Sequence, residues 1–133
     1  MKNNLPGCRV FTELARKDPR IDYNTLIRKY DPLPTEPDEQ NKLWYKILKR
    51  YPDDESILQS HRDFLLFRDL TTIAFSLMVV FLIVFTAAKI LHFNLGIMYF
   101  PIFVIEYLLL VVITRNKAER FVLNVIATDI SNK

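Results

Sequence analysis

Two long apolar stretches dominate the second half of the chain. Residues 70–88 contain no charged side chain across 19 positions. At about 1.5 Å per helical residue they extend roughly 28 Å, close to the hydrocarbon thickness of a bilayer. Residues 95–114 form a second stretch of 20 residues in which Glu106 is the one charged position. The pattern predicts an all-α integral membrane protein built on a hairpin of two transmembrane helices.

The first 69 residues alternate short apolar stripes with helix-breaking prolines. Apolar positions at helical spacing predict a short helix over residues 6–17 and a second helix over 23–30. Asp22 is placed to cap the second helix, because an Asp side chain accepts hydrogen bonds from the first free backbone N–H groups. Residues 1–69 are therefore expected to form one small helical segment.

A third helix is predicted to begin around Thr35 and to run to Arg50. Thr35 is a suitable N-cap, and Pro37 suits the first turn. Its apolar face, at three-and-four spacing, consists of Leu43, Trp44, Ile47, Leu48 and Tyr51. Because lysines occupy the opposite face, two interpretations stand: packing against other helices, which we favour, or an interfacial helix lying on lipid.

A fourth helix is predicted to begin at the acidic residues 53–55, where negative charge suits a helix N-terminus. Residues 56–68 contain no glycine or proline. The helix is therefore expected to continue unbroken into the first apolar stretch. Such a rigid connection would couple the segment 1–69 to the hairpin.

The chain ends in an amphipathic pattern over residues 116–130. Its apolar stripe consists of Phe121, Val122, Val125 and Ile126. The predicted helix either lies along the inner leaflet or folds back onto the N-terminal helices. The sequence thus divides into a helical cytosolic segment (1–69), a transmembrane hairpin (70–114) and an amphipathic tail (115–133).

Basic residues near the apolar stretches predict the orientation. Lys89 is the one Lys or Arg between the stretches, whereas six flank their outer ends: Arg50, Arg62, Arg68, Arg115, Lys117 and Arg120. Because cytosolic flanks are enriched in Lys and Arg, both termini are expected in the cytosol. The N-terminus lacks the apolar core of a signal peptide, so the first span is expected to direct insertion.

Charge and composition exclude several classes of function. Residues 1–69 carry 13 Lys and Arg against 12 Asp and Glu, which is not the basic surface of a nucleic-acid-binding protein. A single cysteine, Cys8, excludes an intrachain disulfide and a Cys-rich zinc site. With only two glycines, a Gly-rich phosphate loop is also excluded. We predict no cofactor and no metal.

Catalytic chemistry is not expected either. Ser60, His61 and Asp63 are the residue types of a hydrolase triad. Neighbours on a helix, however, point about 100° apart and cannot face one another. The chain is therefore predicted not to be an enzyme, and His61 is expected to pack or to meet lipid headgroups.

Glu106 is the most informative residue of the hairpin, because an ionisable group near mid-span is costly in lipid. If the spans pair about residue 92, Ser76 lies within a turn of Glu106 and a hydrogen bond between them is expected. Two interpretations stay open: a protonated structural glutamate, or a residue that lines a pore or subunit interface. A proton relay is disfavoured, since no second intramembrane carboxylate exists to relay to.

Two further features of the stretches are candidates for the same interface. Pro101 is expected to kink the second span and to free a backbone carbonyl. Thr72 and Ser76 form a small-xxx-small pair of the kind that favours helix association. Candidate pore or interface residues are therefore Glu106, Ser76, Thr72 and Pro101.

The layout of polar helical segment, two spans and short amphipathic tail resembles the two-span effector proteins of bacterial defence systems, such as the SLATT-type families. The resemblance implies a bacterial inner-membrane protein that forms a homo-oligomer and permeabilises the membrane after a cytosolic trigger, as in antiviral defence.

The alternative hypothesis is a membrane-anchoring accessory subunit that binds a larger cytosolic protein partner. Candidate partner-binding residues are Trp44, Ile47, Leu48, Tyr51, His61, Phe121 and Val125. Membrane lipid is a partner under both hypotheses.

Overall fold

The structure is a computed structural model that describes residues 5–92 and 96–132. Every regular element in these two ranges is helical, which confirms the all-α prediction. The chain forms two compact units. The first combines Met1–Arg62 with Lys117–Lys133, and the second is Asp63–Asn116. The first is called the polar unit below and the second the hairpin unit.

The N-terminal part of the polar unit is helical but irregular. A 3-10 turn, Pro6–Cys8, is followed by a π-helical turn, Val10–Leu14, and by one short α-helical turn, α1, Ala15–Lys17. The prediction of one regular helix over residues 6–17 is therefore wrong in its geometry.

The buried side chain of Gln40 caps this irregular start. Its Oε1 accepts hydrogen bonds from the backbone N–H groups of Phe11, at 3.1 Å, and Thr12, at 3.4 Å. Gln40 is only 1% exposed, so its amide replaces the water that would otherwise solvate these free donors. A side chain from a distant helix thus satisfies the free donors at the start of this turn.

Helix α2, Tyr23–Lys29, has the predicted start. The Asp22 carboxylate accepts hydrogen bonds from the backbone N–H groups of Asn24 and Thr25 at 3.1 and 3.4 Å. A further bond from the Thr25 hydroxyl, at 2.7 Å, helps to hold the pKa of Asp22 below its usual value. Leu26 is fully buried and anchors the helix to the core of the polar unit.

Helix α3, Pro37–Leu48, begins at the predicted proline but has a different cap. The N-cap position is Glu36, whose side chain makes no capping hydrogen bond. Thr35 is instead held by its backbone carbonyl, which accepts a bond from Gln40 Nε2 at 2.9 Å. The predicted Thr35 cap is therefore wrong, and the helix ends before Arg50.

Helix α4, Glu55–Ile90, runs for 36 residues without interruption, as predicted. The Asp54 carboxylate caps its start by accepting from the backbone N–H of Ile57 at 3.0 Å. The helix ends where His92 adopts a left-handed conformation with φ of 57°, because such a residue redirects the chain away from the helix axis.

Helix α5, Phe100–Ser131, follows a 3-10 turn, Ile97–Tyr99, and contains 32 residues. The second apolar stretch and the predicted amphipathic tail are therefore one continuous helix. Within the polar unit its apolar stripe packs against the N-terminal helices, which is the second of the two arrangements open for the tail. Helices α4 and α5 are each long and apolar enough to cross a membrane.

Candidate functional site

In the hairpin unit, α4 and α5 pair through small and aromatic side chains. The hydroxyls of Thr71 and Thr114 lie 2.8 Å apart, and the ring centroids of Phe81 and Phe103 lie 5.2 Å apart. In each pair the two residue numbers are symmetric about a point close to residue 92, as expected when the two helices run antiparallel. The predicted register of the hairpin is therefore correct.

Glu106 does not face this pairing surface. Its side chain is exposed in the single chain, and within residues 5–92 and 96–132 no hydrogen bond to its carboxylate is formed. The expected bond from Ser76 is absent because the Ser76 hydroxyl donates to the Thr72 carbonyl at 2.9 Å. The antiparallel register of α4 and α5 was predicted correctly, but α5 is rotated so that Glu106 lies on a face that does not contact α4.

An exposed apolar seam on α5 surrounds Glu106. The helix presents Ile102, Glu106, Leu109 and Ile113 at intervals of four, three and four residues. Ile102 is 60% exposed and Leu109 is 59% exposed. This 4-3-4 spacing is that of a left-handed helix–helix contact, and Glu106 lies within it.

Helix α4 carries a second exposed seam with the same spacing. It consists of Ile73, Leu77, Val80 and Val84, which are 55%, 50%, 54% and 49% exposed. The hairpin therefore uses one face of each helix for its own pairing and leaves another apolar face of each helix unused.

Thr72 and Ser76 lie beside the α4 seam. Both are exposed, and the Thr72 hydroxyl donates to the Arg68 carbonyl of its own helix at 3.1 Å. Ser76 makes the equivalent bond one turn later. Because both hydroxyls are satisfied locally, this small-residue pair exposes little unsatisfied polar surface to an approaching helix.

Pro101 lies in the first turn of α5 and not in the interior of the helix. The helix begins at Phe100, so the missing N–H of proline falls where a helix has no internal acceptor for it. The predicted kink with a freed carbonyl is therefore wrong. Pro101 instead marks the start of the helix.

In the polar unit, Phe121 lies between two aromatic side chains from different helices. The Trp44 ring meets it edge to face, with centroids 5.6 Å apart, and the His61 ring stacks on it at 4.8 Å. Trp44 Nε1 also donates to the Val122 carbonyl at 3.2 Å. The α3 face is therefore used for packing, as favoured, and α3 does not present it to lipid.

The other candidate partner-binding residues lie in or beside the same core. Ile47 and Val125 are fully buried, and Leu48 is partly buried. Tyr51 donates a hydrogen bond to Asp129. Most of the apolar surface proposed for a cytosolic partner is thus occupied by the chain itself.

A buried carboxylate, Asp129, joins the end of α5 to the N-terminal helices. It is 1% exposed. The Tyr30 hydroxyl donates to its Oδ2 at 2.6 Å, and the Tyr51 hydroxyl donates to its Oδ1 at 3.0 Å. Two cations lie against the same group, with Lys29 Nζ 3.0 Å from Oδ2 and Arg50 Nη1 3.6 Å from Oδ1. Both carboxylate oxygens are therefore satisfied by the N-terminal segment.

This environment favours the neutral form of both phenols. Burial, and then the hydrogen bond to the Asp129 carboxylate, raise the pKa of Tyr30 far above its usual value. The same two causes raise the pKa of Tyr51. Both hydroxyls therefore stay protonated donors to Asp129 throughout the physiological range of pH.

Sequence reasoning missed Asp129 and its partners, although one signal was present. Asp129 follows Val125 and Ile126 at four and three residues and so continues the apolar stripe of the tail. A carboxylate on an otherwise buried face requires a partner. The partners lie 78 to 100 residues away in the sequence, and no local pattern identifies them.

The described ranges offer no candidate metal centre. No group of three or more His, Cys, Asp or Glu side chains there is arranged to hold a metal ion. Comparison with known proteins finds no matching family model, curated protein or solved structure. The function must therefore be inferred from the residues themselves.

Proposed function

We propose that this chain is a non-enzymatic membrane effector that spans a bacterial inner membrane twice and self-associates through its hairpin. Both termini lie in the cytosol, where the polar unit receives a signal or partner. The assembled hairpins perturb or permeabilise the membrane. The observation that carries this proposal is the exposed carboxylate of Glu106 in the middle of an exposed apolar seam.

The seam supports self-association for an energetic reason. In a single hairpin, Ile102 and Leu109 face lipid at no cost, but Glu106 presents a polar group to hydrocarbon. A second copy brings polar groups to the carboxyl and excludes lipid from it. Hydrogen bonds between membrane helices contribute about 0.6–2 kcal/mol. In a ring of such hairpins, the Glu106 side chains would line the central lumen, where a ring of acidic side chains selects cations.

The accessory-subunit hypothesis has less support from the geometry. It requires the apolar faces around Trp44 and Phe121 to bind a cytosolic partner, but these two rings pack on each other. A partner would have to use other surfaces of the polar unit. The experiments below distinguish this anchoring role from the effector role.

Membrane potential is the decisive measurement. A voltage-sensitive dye should report depolarisation of bacterial cells that express the chain, and Glu106→Ala should reduce it several-fold. Glu39→Ala is the matched control, because Glu39 is an exposed glutamate on α3, outside the apolar stretches. An unchanged potential would contradict the effector proposal, and a depolarisation unaffected by Glu106→Ala would remove Glu106 from the mechanism.

Two neighbouring leucines test self-association separately from permeability. Leu109 is 59% exposed on the seam, whereas Leu110 is only partly exposed. The parent chain contains one cysteine, the buried Cys8. In oxidised membranes Leu109→Cys should form several-fold more disulfide-linked dimer than Leu110→Cys. Equal yields would show that the seam is not the interface.

A further inference from the structure

The polar unit contains a groove between its N-terminal turn and α5. The groove encloses about 660 Å³ and is lined by both charged and apolar side chains. This volume lies in the range of small-molecule and headgroup sites in proteins, roughly 300–1,000 Å³. Leu14 and Leu123 supply apolar surface, while the cations Lys17, Arg20 and Arg120 also line it.

The groove is lined by more cations than its carboxylates neutralise. Its two carboxylates already have cationic partners, since Asp18 lies 2.7 Å from Arg20 and Glu119 lies 2.6 Å from Arg9. The Arg20 guanidinium accordingly lowers the pKa of Asp18. Lys17 and Arg120 form no ion pair with any residue in the described part of the chain. The groove therefore retains positive charge for an anionic ligand.

The position of Arg120 along α5 indicates the source of that anion. Arg120 follows Thr114, the last residue of the second apolar stretch, by six residues on one continuous helix. At 1.5 Å per residue this is about 9 Å along the axis. The headgroup region extends about 5–8 Å beyond the hydrocarbon on each side of a bilayer. A long arginine side chain spans the small remaining distance.

We propose that this groove binds the phosphate headgroup of an anionic phospholipid of the inner leaflet. Lys17 and Arg120 contact the phosphate oxygens. The acyl chains extend from the phosphate back towards the bilayer, on the Thr114 side of Arg120 and away from Leu123. The inference rests on the proposed membrane insertion. It gives the polar unit a lipid contact that does not depend on pore formation.

Lipid binding by the full-length chain in detergent tests the inference. Native mass spectrometry should detect retained phosphatidylglycerol at several-fold higher occupancy than phosphatidylcholine. The double variant Lys17→Gln/Arg120→Gln should weaken phosphatidylglycerol binding about tenfold or more, because each basic residue near an anionic membrane surface contributes about 1 kcal/mol. Lys42→Gln/Lys46→Gln removes the same charge from the exposed side of α3 and should leave binding within twofold.

Three outcomes would overturn the proposal. The first is equal retention of phosphatidylglycerol and phosphatidylcholine. The second is an equal loss of phosphatidylglycerol binding in the groove variant and in the control variant. The third is displacement of the lipid by millimolar inorganic phosphate, which would show that the groove binds a soluble anion. The Leu109→Cys cross-link, introduced into the groove variant, separates this inference from the proposed function. A variant that cross-links normally but loses phosphatidylglycerol supports the lipid site, whatever the chain does to membrane potential.

Discussion

The two units differ in the hydrogen bonding of an acidic residue that lies in apolar surroundings. Asp129 in the polar unit is 1% exposed and accepts hydrogen bonds from two tyrosines, with two cations beside it. Glu106 in the hairpin unit is exposed on an apolar seam and has no partner among the described residues. The same chemical group thus completes a fold in one unit and remains unsatisfied in the other.

The difference reflects what each unit has available. A carboxylate buried without partners costs several kcal/mol. In the polar unit Lys29, Tyr30, Arg50 and Tyr51 come from loops and helix ends and converge on one point. The paired stretches of α4 and α5 offer few polar side chains, and their hydroxyls bond mainly to carbonyls of their own helices. Within the described residues of these stretches, no side chain forms a hydrogen bond with Glu106.

The largest expected effect compares the two carboxylates directly. Asp129→Asn removes the counter-charge of Lys29 and Arg50 and should lower the free energy of unfolding of the polar unit by about 2 kcal/mol. Glu106→Gln should change it by less than about 0.5 kcal/mol. Denaturant titration in detergent, followed by fluorescence of Trp44, measures both changes. Trp44 is the single tryptophan and packs in the polar unit.

Asp38→Asn is the matched control, because Asp38 is an exposed carboxylate on α3. If Asp129→Asn and Asp38→Asn had equally small effects, Asp129 would not be an anchor of the polar unit. A loss from Glu106→Gln as large as that from Asp129→Asn would instead mean that Glu106 has an intramolecular partner, and the contrast between the units would fail.

The sequence predicts most of the hairpin because its signals are local. Runs of apolar residues and the absence of glycine and proline over 56–68 need no tertiary information. The antiparallel register followed from loop length alone. The rotation of each helix did not, because nearly every position in the stretches is apolar and no polar face marks the outside. Glu106 was consequently assigned a hydrogen bond that Ser76 does not make.

The polar unit was less predictable because distant residues determine its structure. The Gln40 side chain reaches 28 to 29 residues back in the sequence to accept from free N–H groups of a π-helical turn, where a regular helix was predicted. The position of Pro101 within its helix was also predicted wrongly. The apolar run places the start of the span at residue 95, whereas α5 begins at Phe100, and a proline is well tolerated in the first turn of a helix.

The two glycines offer a test of packing density with a smaller effect. A Cβ at Gly7 would overlap with Asn41 Oδ1, whereas a Cβ at Gly96 would meet its nearest atom, Met98 Cγ, at 3.8 Å. Gly7→Ala should therefore destabilise the polar unit by about 1 kcal/mol. Gly96→Ala should be close to neutral. Thermal unfolding followed by far-UV circular dichroism and by Trp44 fluorescence compares the two variants.

Removing the clashing side chain distinguishes steric overlap from other causes. In Gly7→Ala/Asn41→Ala the alanine methyl has room, so the double variant should be less destabilised than the sum of the two single variants. If the effects were additive, the overlap with Asn41 would not be the cause. If Gly96→Ala proved as damaging as Gly7→Ala, the loop of the hairpin would be as tightly packed as the polar unit.

The smallest effect at neutral pH concerns the phenols that hold Asp129. Because folding raises the pKa of Tyr30 and Tyr51, their stabilising contribution is complete below the ordinary tyrosine pKa of about 10 and is lost as the pH rises above it. The denaturation midpoint reported by Trp44 should therefore fall above about pH 10. The absorbance of phenolate should show Tyr30 and Tyr51 ionising late in this transition. Tyr30→Phe/Tyr51→Phe should remove that late absorbance, whereas Tyr45→Phe, at a side chain 51% exposed, should retain it. Late absorbance that persists in the double variant would come from another tyrosine and would contradict the assignment of the raised pKa to Tyr30 and Tyr51.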